Sequence, residues 1–265
     1  MNEEVKKFEN EKNNLIKNNA NNLALQKAKS DFNIESNKAK YSYNFSWMGR
    51  PIIAYPQDMM AMQEIIWEIK PDLIIETGIA HGGSLIMSAS ILALLDMCDA
   101  IEEKKSGRVI FNPEKSKRKV LGIDIDIRSH NRKAIKSHPM ASRIQMIEGS
   151  SIDPLIIQSV KKISKNYKSI MVLLDSNHTH EHVYKELEAY AKLVSVGSYC
   201  VVFDTVIEDV PKAMFLDRPW SIGNNPKTAV QEYLKSHPEF KIDKQIQNKL
   251  LITVAPDGYL RRIKK

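Results

Sequence analysis

Five short apolar runs recur along the chain, and each is followed by a polar cluster and then by a stretch with helical spacing. They begin at Leu73, Val120, Arg143, Ser169 and Ser198. Strands that alternate with helices build a parallel sheet, because each return crossing needs a helix. Their ends carry Glu76, Asp124, Ser150-Ser151, Asp175 and Asp204 in turn. Open parallel sheets bind ligands beyond the carboxyl ends of their strands. All five polar clusters should therefore line one rim. A final apolar pair, Phe240 to Asp243 and Leu250 to Val254, has no helix between its strands and should add an antiparallel strand. The expectation is an α/β three-layer sandwich, Rossmann-like, with a mostly parallel seven-stranded sheet and an antiparallel last strand.

The first run sits in P-D-L-I-I-E-T-G-I-A-H-G-G-S, Pro71 to Ser84. A strand, an acid (Glu76), a glycine turn and a helix follow one another. Glycine permits positive φ and close approach of the backbone to a ligand, and the helix start offers free N–H groups. This pattern suits an adenosine-containing cofactor, and it also occurs as a plain strand–turn–helix connection.

Length and composition narrow the classes. The 265 residues, 43% hydrophobic, suit one large α/β domain with an appendage. The divisions expected are an N-terminal helical extension over 1–40 and the main domain over 41–265. No run of 18 or more apolar residues indicates a membrane span, and the charged M-N-E-E-V-K-K start lacks an apolar signal segment. A cytoplasmic location is the expectation. Cys98 and Cys200 lie far apart in apolar surroundings and read as core thiols. The net charge of +7 comes with no aromatic-interleaved basic motif, so a solvated lysine-rich surface is favoured over specific nucleic-acid binding.

The linking segments are less legible. Residues 1–40 allow one or two helices or partial disorder, and a helical arm there is a candidate for homo-oligomer contact. Tyr41 to Pro56 reads as an aromatic loop, Asp58 to Ile69 as a helix with Met59, Met62, Ile66 and Ile69 on its core face. A charged insertion from Glu102 to Lys119 allows a hairpin around Arg108 to Asn112. The long loop 206–226 has the length of an active-site cover.

The strand ends offer specific chemistry. Asp124, ending the second strand, is placed to accept from ribose hydroxyls. Ser150-Ser151 suits either adenine-edge contacts or a helix cap. Asp175 and Asp204 end consecutive strands and, if these are neighbours, make a hard-oxygen Mg²⁺ site. His178 reads as a base beside them. The run H-x-H-x-H, His178, His180 and His182, invites a zinc reading. Residues two apart on a helix face different ways, which argues against it.

Together the stretches S-W-M-G-R-P-I, the Pro71–Ser84 turn, L-G-I-D-I-D-I-R, E-G-S-S-I-D, L-L-D-S-N-H-T-H-E-H-V and G-Y-L-R-R resemble the cephalosporin hydroxylase-like family, related to rhamnosyl O-methyltransferases. The resemblance covers about Trp47 to Arg262. It implies the class I S-adenosylmethionine-dependent methyltransferase fold and an O-methyltransferase, with S-adenosyl-L-methionine and Mg²⁺ as cofactors. The acceptor it implies is a hydroxyl on a sugar, a lipid-linked sugar or a small natural product. Glu76, Gly78 and Ser84 would then cradle the methionine part, Asp124 the ribose, and Ser151 would sit near the adenine. Asp175, Asp204 and Thr205 would hold the metal, and His178 with Asp175 would act on the acceptor. The family pattern has an acid where this chain has Phe203. Two alternatives follow: an Fe-dependent hydroxylase, as the family name suggests, and a non-catalytic binding module.

Overall fold

The computed structural model describes residues 2–103, 112 and 115–265. The hairpin expected around Arg108 to Asn112 falls, all but Asn112, outside them. The chain opens with two helices, α1 (Glu3–Asn21) and α2 (Leu23–Lys38). Asn2 and Asn22 cap them, each side-chain oxygen accepting a free backbone N–H of the first turn. Both helices dock on the body. The Asn19 amide donates to the Asn248 carbonyl at 3.2 Å, and Ser36 and Tyr55 share a hydrogen bond of 2.7 Å.

The stretch expected as an irregular loop contains a hairpin, β1 (Phe45–Trp47) against β2 (Arg50–Ile52). Its two turn residues, Met48 and Gly49, both take positive φ, 45° and 82°. A two-residue hairpin of this hand requires that conformation. Methionine is not a usual residue there, so Gly49 alone marked the turn and the pairing of the flanking residues went unread.

Then come α3 (Pro56–Ile69), β3 (Leu73–Thr77), α4 (Gly83–Glu102), β4 (Lys119–Asp124), α5 (Ser129–Lys136), β5 (Ile144–Glu148) and α6 (Pro154–Ser164). They are followed by β6 (Ile170–Leu174), α7 (His180–Tyr190), β7 (Tyr199–Val202), α8 (Pro226–Ser236), β8 (Phe240–Ile242), α9 (Lys244–Leu250) and β9 (Tyr259–Arg262). The sheet order is β5-β4-β3-β6-β7-β9-β8. β3 pairs in parallel with β4 on one side and β6 on the other, so the winding reverses beside it. Such a switch point opens a crevice at the strand ends.

β9 runs antiparallel to both β7 and β8. The expected architecture stands, but the closing pair is different. β8 pairs with Tyr259–Arg262 and not with Leu250 to Val254, and Lys244–Leu250 is a helix. Asp243 caps that helix at Gln245 N–H, 3.1 Å. The apolar residues beyond it pack as an irregular segment tied to a buried acid, as described below.

The sheet is buried on both faces. Ile74 of β3 joins a core with α3, α4 and Ile135 of α5, while Leu73 and Ile75 join the opposite core with α6, α7 and α8. This alternation is the period of two along a strand. α4 is long and apolar enough to cross a membrane by length and composition. Here it is a core helix, with Leu85, Ile86, Ala89, Leu92 and Leu95 fully buried.

Candidate active site

A cavity of ≈ 510 Å³ opens at the switch point between the carboxyl ends of β3, β4, β6 and β7. Glu76, Gly78, Ser84, Asp124, Asp175, His178 and Asp204 all line it. Seven of the expected site residues thus meet at one place.

One wall is the glycine turn. Glu76 is only 2% exposed. The Ser84 hydroxyl donates to its Oε1, while Oε2 is buried with no partner. Burial pushes the Glu76 carboxyl up, the Ser84 bond pulls it back, the Asp175 charge adds, and the outcome is about 8. At neutral pH the side chain therefore holds its proton until something cationic reaches the free oxygen.

Gly78 has φ +88°, and a methyl group there would run into the backbone carbonyl of Asp175. The glycine is thus required by the close pass of the turn beneath the end of β6, as well as by any ligand. Ala80 also takes positive φ, 45°. The Asp124 carboxylate ties this turn down, its Oδ2 accepting from the N–H groups of Ile79 at 2.7 Å and Ala80 at 3.2 Å. Asp126, two residues further on, is exposed.

A second tie comes from the hairpin. Arg50 donates from Nε and Nη2 to the His81 carbonyl, at 3.0 and 2.6 Å, and from Nη2 to Asn131 Oδ1 at 3.0 Å. Asn131 in turn donates to the Ala80 carbonyl at 2.9 Å. Arg50 is the arginine of S-W-M-G-R-P-I. Its guanidinium and the buried Asn131 hold two carbonyls of the turn outward, so that the turn keeps its strained backbone.

The opposite wall is acidic. Asp175, His178 and Asp204 offer ligand atoms that all lie within 4.8 Å of one another. His178 Nδ1 is 2.9 Å from Asp204 Oδ2, and Nε2 is 3.6 Å from Asp175 Oδ1. Asp204 sits in the left-handed region, φ 55°. A non-glycine residue held there stores strain, a common mark of functional positions. Burial alone would lower His178, but Asp204 and Asp175 outweigh it and lift the imidazole to about 10. Without a cation the ring is charged at neutral pH, whereas an ordinary histidine would be mostly neutral. Burial pushes Asp175 up, the His178 bond pulls it down, and Asp204 adds to the rise, to about 6. Its side chain keeps 41% of its surface open to the cavity, so water tempers that rise.

Two expected positions lie apart. Thr205 is fully buried and spends its hydroxyl on the Pro256 carbonyl at 2.6 Å, so it does not offer an oxygen to Asp175 and Asp204. The chain turns sharply at Asp204, and this swings the next side chain into the core. Ser151 is buried under α7, its Oγ 3.0 Å from His182 Nε2, and is not among the residues lining the cavity. The three histidines also diverge. His180 pairs with Thr228 at 2.8 Å and with Glu232 at 3.1 Å, and His182 with Ser151. Of these three histidines only His178 meets Asp175 and Asp204, so among the described residues the H-x-H-x-H run brings no second histidine to them for a zinc or an oxygenase iron.

Other lining residues escaped the sequence reading. Asp58, on α3, is 1% exposed and accepts from Thr253 Oγ1, from Tyr259 OH at 2.8 Å and from Val254 N–H at 2.9 Å. It pins residues 253 and 254, which explains why that apolar run is no strand. An acid in line with Met62 and Ile65 on the core face of α3 was the available signal. Trp220, from the long loop, packs on His178 with ring centres 4.8 Å apart.

An acid-and-glycine turn on one wall and a carboxylate–histidine cluster on the other, over a Rossmann-like sheet, make a cofactor cleft, and the family match that follows makes it that of an S-adenosylmethionine-dependent methyltransferase. The family model described as Rhamnosyl O-methyltransferase/CmcI matches residues 39–263. The chain belongs to the Rhamnosyl O-methyltransferase/CmcI family. A Rhamnosyl O-methyltransferase of Mycobacterium tuberculosis is 32% identical over 210 residues, covering 77% of this chain and 73% of that protein. One of Mycobacterium leprae is 28% identical over 219 residues, 82% of each. Among solved structures, apo CmcI superposes with a TM-score of 0.53 at 17% identity, covering 84% of this chain and 78% of that one. CmcI with Mg and S-adenosylmethionine gives 0.52, with the same identity and coverage. These two likenesses speak to the fold.

Proposed function

We propose that this chain methylates a hydroxyl of a sugar or small natural product, using S-adenosylmethionine and a divalent metal, Mg²⁺ foremost. The observation that carries the reading is the pairing of walls. The unpartnered Glu76 Oε2 lies across one cavity from Asp175, His178 and Asp204.

The residues fit the donor. The methionine end of S-adenosylmethionine carries an ammonium, and a buried carboxylate oxygen with no partner suits one. Glu76 would take that group and give up its proton, with Ser84 fixing the carboxylate's direction. Asp124 retains lone pairs for ribose hydroxyls while holding the turn. The relatives named above act on rhamnosyl groups by their names, which supports a sugar acceptor here.

The residues also fit a metal. Two carboxylates at a strand-end rim would hold Mg²⁺, which when bound lowers the pKa of a coordinated hydroxyl. Asp204 holds the Nδ1 side of His178, leaving Nε2 to take the acceptor proton once the carboxylate charge is balanced. Trp220 covers His178 and keeps water from it. The protein's main contribution is to align the acceptor oxygen with the methyl group, an orientation effect. Two free cysteines fit a cytoplasmic setting.

The test is methyl transfer from labelled S-adenosylmethionine to a panel of free, nucleotide-linked and lipid-linked sugars, with and without Mg²⁺. Turnover that vanishes in Asp175→Ala supports the reading. No transfer to any acceptor, with no cofactor bound by folded protein, would favour a non-catalytic module.

A further inference from the structure

We propose that the acceptor carries an anionic group, a phosphate or a carboxylate, which Arg218 and Lys40 recognise at the mouth of the cavity. The proposal rests on the methyl-transfer reading and narrows its substrate class.

The charged lining of the cavity is divided. The acids Asp58, Glu76, Asp124, Asp175 and Asp204 occupy its floor, and each holds a hydrogen bond or ion pair. Lys40 and Arg218 line the same cavity, and neither side chain has an ion pair or hydrogen bond among the described residues. Two other cations of this region are held by partners. Lys227 pairs with Asp209 and Asp257, and Arg50 is held by His81 and Asn131.

Arg218 is also placed. Its guanidinium lies over the Trp220 ring, 5.4 Å from the centroid, and Trp220 in turn packs on His178 at 4.8 Å. The cation thus stands at most about 10 Å from the His178 ring centre, on the side of the cavity that the base faces through Trp220. No side-chain hydrogen bond uses the Arg218 N–H groups among the described residues, and a free guanidinium fork can grip a phosphate or carboxylate in two bonds. Lys40 lines the same cavity from a different part of the chain. It follows α2 in the left-handed conformation, φ 51°, which turns the chain from the helix into the cavity rim. A neutral sugar would leave both cations without use. An anion would also be steered to the mouth while the acidic floor repels it from the metal cluster.

The experiment loads the full chain with S-adenosylhomocysteine in metal-free buffer and titrates it with inorganic pyrophosphate and, separately, glucuronate. We expect one of the two to bind, salt-sensitively, and to bind roughly tenfold or more weakly in the double variant R218Q/K40Q. Pyrophosphate binding points to a nucleotide-linked or phosphorylated sugar, glucuronate binding to a sugar acid. S-adenosylhomocysteine affinity should be unchanged in the variant, which shows that it folds. If neither anion binds the loaded protein, or the double variant binds as tightly, the proposal is overturned and the methyl-transfer reading stands. If S-adenosylhomocysteine fails to bind folded wild-type protein, the methyl-transfer reading falls, and this proposal with it.

Discussion

Glu76→Gln should make the protein more stable and a poorer binder of its cofactor. Folded, Glu76 keeps its proton up to about pH 8, because burial in the turn penalises the charge. Unfolded, it ionises at its ordinary value of 4.5. Between these values the folded state binds more protons than the unfolded one, so this group lowers stability as pH rises through the window. The gap corresponds to ~5 kcal/mol at most at about 1.4 kcal/mol per unit, and local relaxation leaves a few kcal/mol. Glutamine keeps an oxygen for Ser84 and never ionises. At pH 8 its melting temperature should exceed wild type by several degrees, at roughly 2–4 °C per kcal/mol. At pH 5 the advantage should nearly vanish. Calorimetric titration should show S-adenosylhomocysteine binding weakened about tenfold or more, since the variant cannot offer a charge to the ammonium. A variant less stable than wild type at pH 8, or one that binds the ligand as well, would refute the reasoning.

Further outcomes follow from the same geometry. Arg50→Ala removes a charged donor from the His81 carbonyl and from Asn131, and should weaken S-adenosylhomocysteine binding about 10- to 100-fold, with Arg50→Lys intermediate. An affinity within twofold of wild type in folded Arg50→Ala would show that the turn needs no clamp. Metal binding should release about one proton below pH 10, because a cation on Asp175 and Asp204 displaces the charge on His178, so apparent Mg²⁺ affinity should climb as pH rises from 6 to 8. Proton uptake or none, measured in buffers of different ionisation enthalpy, would contradict this. Thr205→Val should cost about 1–2 kcal/mol of stability through the lost Pro256 hydrogen bond, yet leave metal affinity unchanged. A large loss of metal affinity there would restore Thr205 to the ligand set.

The sheet was legible because its strands are buried on both faces and read as unbroken apolar runs such as I-M-V-L-L. The rim was legible for a related reason. Strand ends are fixed points of a parallel sheet, so Glu76, Asp124, Asp175 and Asp204 could be placed from order alone. What failed depended on a single backbone angle or a distant partner. Asp204 turns left-handed, and that one angle sends Thr205 into the core. Ser151 follows a strand as expected, but His182 draws it under α7. Leu250 to Val254 has the composition of a strand, yet Asp58, almost two hundred residues earlier, claims its backbone. The hairpin and its Arg50 clamp were hidden because Met48, a residue rarely found at positive φ, fills the first turn position and leaves Gly49 as the single marker.

The central claim is that the Glu76–Ser84 turn holds the methyl donor, and calorimetric titration of the purified chain with S-adenosylhomocysteine tests it most directly. We expect one site per chain with an affinity in the micromolar range, roughly 1–100 μM, lost when Gly78→Ala pushes the turn against Asp175. Folded wild-type protein that gives no heat and no thermal shift with millimolar ligand would contradict it.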